Sequence, residues 1–104
     1  MGSVAIPSGG GTAEVILIGK VHTNSTATQT ITIPNKEKKI IVTRNQSNAS
    51  GTLTVSNNKS LLPTSIVSDG TTHIDIYENV PSGTVFTIKI SQGYWYDVDI
   101  LAVR

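Results

Sequence analysis

Cysteine is absent from the chain. That excludes disulfides, thiolate metal sites and thiol nucleophiles, so the fold has to hold by core packing, helped by oligomerisation where the core is small. Charge is scarce too. Asp, Glu, Lys and Arg make up 14% of the residues, against about 25% in an ordinary soluble domain. The net charge of +1 does not provide the clustered Lys and Arg that a nucleic-acid surface needs. The only basic cluster, Lys36, Lys38 and Lys39, has Glu37 inside it and reads as a solvated turn. No apolar run approaches the ~20 residues of a membrane-spanning helix, and Met1 to Thr12 lacks the basic start and apolar block of a secretory signal. No membrane insertion is expected. Gly9-Gly10-Gly11 is not a phosphate loop, because no Lys-Ser/Thr follows and the next segment reads as a strand rather than a helix.

Thr, Ser, Asn and Gly take the place of the missing charge. They suit strand faces and turns and suit helices poorly. The 104 residues correspond to one domain. Residues 1–12 read as a flexible arm, with the apolar patch Val4, Ala5, Ile6 and Pro7 ahead of the glycines, either a disordered terminus or an assembly arm that docks on a neighbouring subunit or larger assembly, and residues 13–104 as the folded body.

Strand-like runs and turn clusters alternate along that body. Glu14 to Ile18 is apolar on nearly consecutive positions, as in a strand covered on both faces. Thr26 to Ile33 alternates, with Ala27, Gln29, Ile31 and Ile33 on one side and threonines on the other. Ile40-Ile41-Val42 is a second doubly apolar run. Leu53 and Val55 point inward between Thr52, Thr54 and Ser56. Leu61 to Val67 is weaker, and Pro63 argues for an edge position. Asp69-Gly70 marks a hairpin before Thr72 to Tyr77, where Ile74 and Ile76 share a face and His73 takes the polar one. Phe86, Ile88 and Ile90 share a face in the next run, and Tyr94 to Val103 closes the chain. About eight strands at roughly ten-residue spacing point to a sandwich or barrel. The expected fold is an all-β antiparallel β-sandwich, jelly-roll rather than immunoglobulin-like, since eight antiparallel strands suit two such sheets without disulfides.

Chemistry-bearing residues are few. His22 and His73 are the only histidines, no Gly-x-Ser-x-Gly elbow is present, and both histidines read as surface residues. Asp97 and Asp99 stand two apart on the last strand, so they share a face, opposite Val98, Ile100 and Ala102. Such a pair could ligate a hard cation with further oxygens or act as acid and base, but no supporting motif accompanies it. Neither a cofactor nor a metal is expected, and the chain reads as non-enzymatic. Trp95 shares the face of Asp97 and Asp99, an apolar platform beside hydrogen-bond acceptors that would suit a sugar ring. Tyr94 and Tyr96 take the other face and would join that site only if a bulge near Gly93 shifted the register. Four Asn-x-Ser/Thr triplets, beginning at Asn24, Asn45, Asn48 and Asn58, read as incidental in so Asn- and Ser-rich a chain.

Thr28-Gln29-Thr30-Ile31-Thr32-Ile33-Pro34 and Val80-Pro81-Ser82-Gly83-Thr84-Val85-Phe86-Thr87-Ile88 look like strands of phage virion β-sandwich modules. In style the resemblance covers most of the chain, a Gly-rich arm leading into a Thr/Ser/Asn-rich body. It implies a structural or attachment role in a virion, in head decoration, head fibre, tail or baseplate, as a homo-oligomer, often a trimer, beside other virion proteins. Carbohydrate-binding modules and adhesin domains share the texture, and on that alternative the protein is extracellular or at a cell surface, with a cell-surface glycan as ligand. The runs Val15 to Ile18 and Ile40 to Val42 also suggest that an outer face is covered, because a lone two-layer sandwich leaves its outer faces to solvent; subunit contact is the simplest cover, and a buried edge or the N-terminal arm could do the same.

Overall fold

Alternating and β-branched runs become strands throughout the chain. The computed structural model describes the backbone of residues 3–8 and 11–104, with side chains from Glu14 onward. The strands are β1 (Ser3–Ser8), β2 (Gly11–Thr23), β3 (Ala27–Thr32), β4 (Glu37–Gln46), β5 (Leu53–Asn57), β6 (Thr64–Ser68), β7 (Thr72–Val80), β8 (Val85–Ile90) and β9 (Tyr96–Val103). Among the described residues there is no helix. The larger sheet runs β2-β9-β4-β7-β6, extended by β1 at the β2 edge, and the smaller runs β3-β8-β5. All pairings are antiparallel. The protein is thus an all-β sandwich whose body has five strands in one sheet and three in the other. Pairings nest from the ends of the body inward: β2 with β9, β3 with β8, β4 with β7.

The core lies between the sheets. Ile40 and Val42 of β4 meet Tyr96, Val98, Ile100 and Ala102 of β9, and β8 faces them with Phe86, Ile88 and Ile90, all buried. The Tyr77 and Phe86 rings bridge the sheets edge-to-face, with centroids 5.0 Å apart at 72°. That geometry adds about 0.5–1.5 kcal/mol to area burial. A bulge between Leu17 and Gly19 in β2 needs the glycine, because a Cβ there would stand 2.9 Å from Ile31 Cγ2. Pro63 does precede an edge strand, β6. At the Asp-Gly turn, Asp69 Oδ1 accepts the backbone N–H groups of Thr71 and Thr72, which hold the carboxyl below its ordinary range.

Several expectations from sequence need revision. Strand β2 runs on past Ile18 through Gly19 to Thr23, with Val21 buried. The segment Lys36 to Lys39 is not wholly a solvated turn: Glu37 opens β4, is 3% exposed, and is clasped by Arg104. Arg104 Nη2 donates to Glu37 Oε2 at 2.6 Å and its Nε to Oε1 at 3.1 Å. A backbone pair between Glu14 and Arg104 (2.7 and 2.8 Å) holds the arginine in place. On β7 the inward face is Tyr77 and Asp75, both buried, while Ile74 and Ile76 take the outer face half-buried. His73 shares that inward face and is half-buried, so it is not a plain surface residue. The expected arm has strand backbone: β1 pairs with β2 from Ser3↔Ile16 to Ser8↔Gly11, and the side chains of Val4, Ala5, Ile6 and Pro7 lie outside the described residues.

A buried carboxylate stripped of its partner carries its full desolvation penalty. Arg104→Ala is therefore expected to lower the melting temperature, and adding Glu37→Leu to it to recover most of the loss, read as a double-mutant cycle by thermal unfolding.

Candidate functional site

The outer face of the larger sheet is ordered in rows, because directly opposed residues in antiparallel strands share a face. Leu17, Leu101, Ile41 and Ile76 oppose one another across β2, β9, β4 and β7. Val15 and Val103 extend this aliphatic ridge on one side, where Lys39 and Glu78 complete the row. On the other side come Lys20, Asp99, Thr43 and Ile74, then His22, Asp97, Asn45 and Thr72. The aliphatic members are half-buried, and the smaller sheet packs on the opposite face.

The polar half of this face gathers the carboxylates singled out from sequence. Asp97 and Asp99 do share a side, and both reach His22. His22 Nε2 lies 2.9 Å from Asp99 Oδ1 and Nδ1 3.6 Å from Asp97 Oδ1. His22 was not among the sequence candidates. No local pattern could place it here, because its partners lie on a strand at the far end of the chain. Both carboxylates are thus engaged with an imidazole, and among the described residues no three His, Cys, Asp or Glu side chains form a group suited to a metal.

Trp95 sits just ahead of β9 and is 57% exposed. Its loop is pinned by Ser47, whose N–H donates to the Trp95 carbonyl at 2.9 Å while its Oγ accepts from Trp95 N–H at 3.2 Å. The tyrosines are not brought to it. Tyr96 is fully buried and Tyr94 packs half-buried against the core, so the register keeps them on the inner side, as strand alternation requires. Tyr96 Oη is buried without a hydrogen-bond partner, and a Cβ at Gly51 would meet it at 2.5 Å. Nor do the histidine, serine and aspartate of β6 and β7 line up as a triad. His73 Nε2 pairs with Ser68 Oγ at 2.8 Å, while Asp75 takes Ser65 and Arg44.

The two aromatic neighbours should respond oppositely to mutation. Trp95→Ala is expected to change stability by no more than about 0.5 kcal/mol, as for exposed sites generally. Tyr96→Phe removes a buried hydroxyl that has no partner, and is expected to be neutral or stabilising by up to about 1 kcal/mol. Urea unfolding of both variants checks this, and a large loss in Tyr96→Phe would show that the hydroxyl is satisfied.

No protein-family model, curated protein or solved structure matches this chain.

Proposed function

We propose that the protein is a non-enzymatic structural or attachment subunit of a virion-like particle, assembled from copies of itself through the outer face of its larger sheet. The carrying observation is the aliphatic ridge Leu17, Leu101, Ile41 and Ile76, continuous across β2, β9, β4 and β7. An antiparallel sheet with one face on the core ordinarily turns polar residues outward, and contiguous apolar surface marks contact sites. A second copy is the occupant that the surrounding charges favour. Lys39 and Glu78 frame the ridge on one side, and Lys20 with Asp99 on the other, so both signs are present for a self-complementary joint. The nested pairing of β2 with β9, β3 with β8 and β4 with β7 supports the jelly-roll reading, with β6 departing from it by joining β7 rather than β5. Double-sheet jelly rolls serve in viral capsid and lectin domains, and the phage-module resemblance favours a trimer.

Light scattering after size exclusion tests the assembly. The full chain is expected to run as an oligomer, and Leu101→Glu or Ile41→Lys as a folded monomer, because a charge cannot be desolvated in an aliphatic joint. A monomeric wild-type chain at tens of micromolar overturns the proposal.

A second reading, a carbohydrate-binding or adhesin-type surface, is favoured by one observation: Trp95 presents a largely exposed indole two residues ahead of exposed Asp97. The chain has one tryptophan, so a change in its fluorescence across a glycan panel reports on this surface alone. A flat response removes the reading.

A further inference from the structure

The inner face of the larger sheet turns polar near one edge. Arg44 follows Ile40 and Val42 on the inward side of β4, and Asp75 of β7 stands directly opposite Val42. Their side chains are 18% and 7% exposed. A charged pair thus occupies positions where the sandwich elsewhere buries hydrocarbon, and such a pair brings little stability of its own once desolvation is counted. Places where a fold breaks its own pattern without a gain in stability are where function is to be sought.

The pair is also incompletely made. Arg44 Nη2 lies 3.4 Å from Asp75 Oδ2, Nη1 lies 3.4 Å from the Leu53 carbonyl, and Nε is buried with no partner at all. A guanidinium carries five N–H donors, and a well-formed contact to a carboxylate is bidentate at about 2.7–2.9 Å. The Arg104–Glu37 clasp meets that standard at 2.6 Å, so the slack at Arg44 is local. Asp75 Oδ1 accepts from the Ser65 hydroxyl, and the Tyr77 hydroxyl next along β7 is pushed up in pKa by burial and by the charge of Asp75.

Arg44 and Asp75 line a cleft of about 490 Å³, within the usual range of small-ligand sites, about 300–1,000 Å³. The topology creates it. Strand β6 pairs with β7, so the smaller sheet ends at β5 and the space between the two sheet edges stays open. Arg44 and Asp75 form part of its lining, Ser56, Ser60 and Ser65 add neutral hydroxyls, and Leu62 stands at its lip. Leu62 is 90% exposed, two residues after Ser60 at φ 55°.

One positive and one negative group side by side exclude a strongly charged ligand, which would meet its like. A hydroxyl both donates and accepts. Two adjacent hydroxyls on a sugar ring can donate a hydrogen bond to the Asp75 carboxylate and accept one from the remaining N–H groups of the Arg44 terminal nitrogens together, while the C–H face of the ring lies on Leu62. We propose that this cleft is a binding site for a neutral saccharide. It is separate from the Trp95 surface, which contributes nothing to its lining, and it does not depend on the assembly proposed above.

The test is an amide and guanidinium NMR titration of the full chain with glucose, galactose, mannose, N-acetylglucosamine and lactose. The expected result is a saturable shift at Arg44 Nε–H and at the Ser60 to Leu62 amides with at least one of them. Arg44→Lys is expected to weaken that binding about tenfold, the loss of one charge-assisted hydrogen bond. Leu62→Ser, at a fully accessible position, keeps the fold intact and is also expected to weaken it. No shift in this region with any of the sugars overturns the proposal. So does unchanged affinity in Leu62→Ser and Arg44→Lys. A response only to a blocked dipeptide amide used as control would assign the cleft to peptide instead, and shifts confined to Trp95 and Asp97 would move saccharide binding to the outer face.

Discussion

Strand β9 is paired on both sides, to β2 and to β4, and its alternation decides which face every neighbour in the larger sheet can bury. Tyr96, Val98, Ile100 and Ala102 are fully buried inward, so Asp97, Asp99, Leu101 and Val103 must point outward. A one-residue slip would drive two carboxylates into the core, at a cost of several kcal/mol for each unpaired charge. The register is therefore locked by the sequence of a single strand. Direct opposition then transmits it to Leu17 and His22 on one side and to Ile41 and Asn45 on the other.

That same constraint explains why the outer face is divided. Leu101 opposes the aliphatics Leu17 and Ile41 on its two flanks and Val103 opposes Val15 and Lys39, while Asp97 and Asp99 belong to the half that opposes His22, Lys20, Asn45 and Thr43. A surface shared between hydrocarbon and hydrogen-bonding groups is what a specific contact needs, the first for affinity and the second for register. Trp95 lies past the polar end, ahead of β9, and stays free of this pattern.

Much of the core was legible from period-two runs, because a side chain such as Phe86 or Val98 has one apolar partner layer and no alternative. Strand β7 was not legible in this way. Ile74 and Ile76 are more apolar than His73 and Asp75, so the local pattern points them inward, yet Tyr77 must cross to Phe86 in the other sheet, and Asp75 follows it to Arg44. Glu37 was hidden for a related reason: its partner Arg104 is the last residue of the chain, and a charge among lysines looks solvated until the fold brings that partner up. His22 was missed because its meaning depends wholly on the pairing of β2 with β9.

The exceptions on β4 and β7 are linked to where β6 goes. A strand beside β5 would close the smaller sheet and cover the polar inner positions with backbone. Because β6 pairs with β7 instead, Arg44 and Asp75 sit under an opening rather than in a sealed layer. A fully sealed charged pair would be a pure cost, whereas this one keeps part of the Arg44 side chain, 18% exposed, at the opening. The opening lies at the β6 edge, across the sheet from the β2 edge that β1 extends, and on the side of the sheet opposite the aliphatic ridge. Copies joined through that ridge would leave the cleft free, so the proposed assembly and the proposed ligand binding would make no competing demands on the same residues.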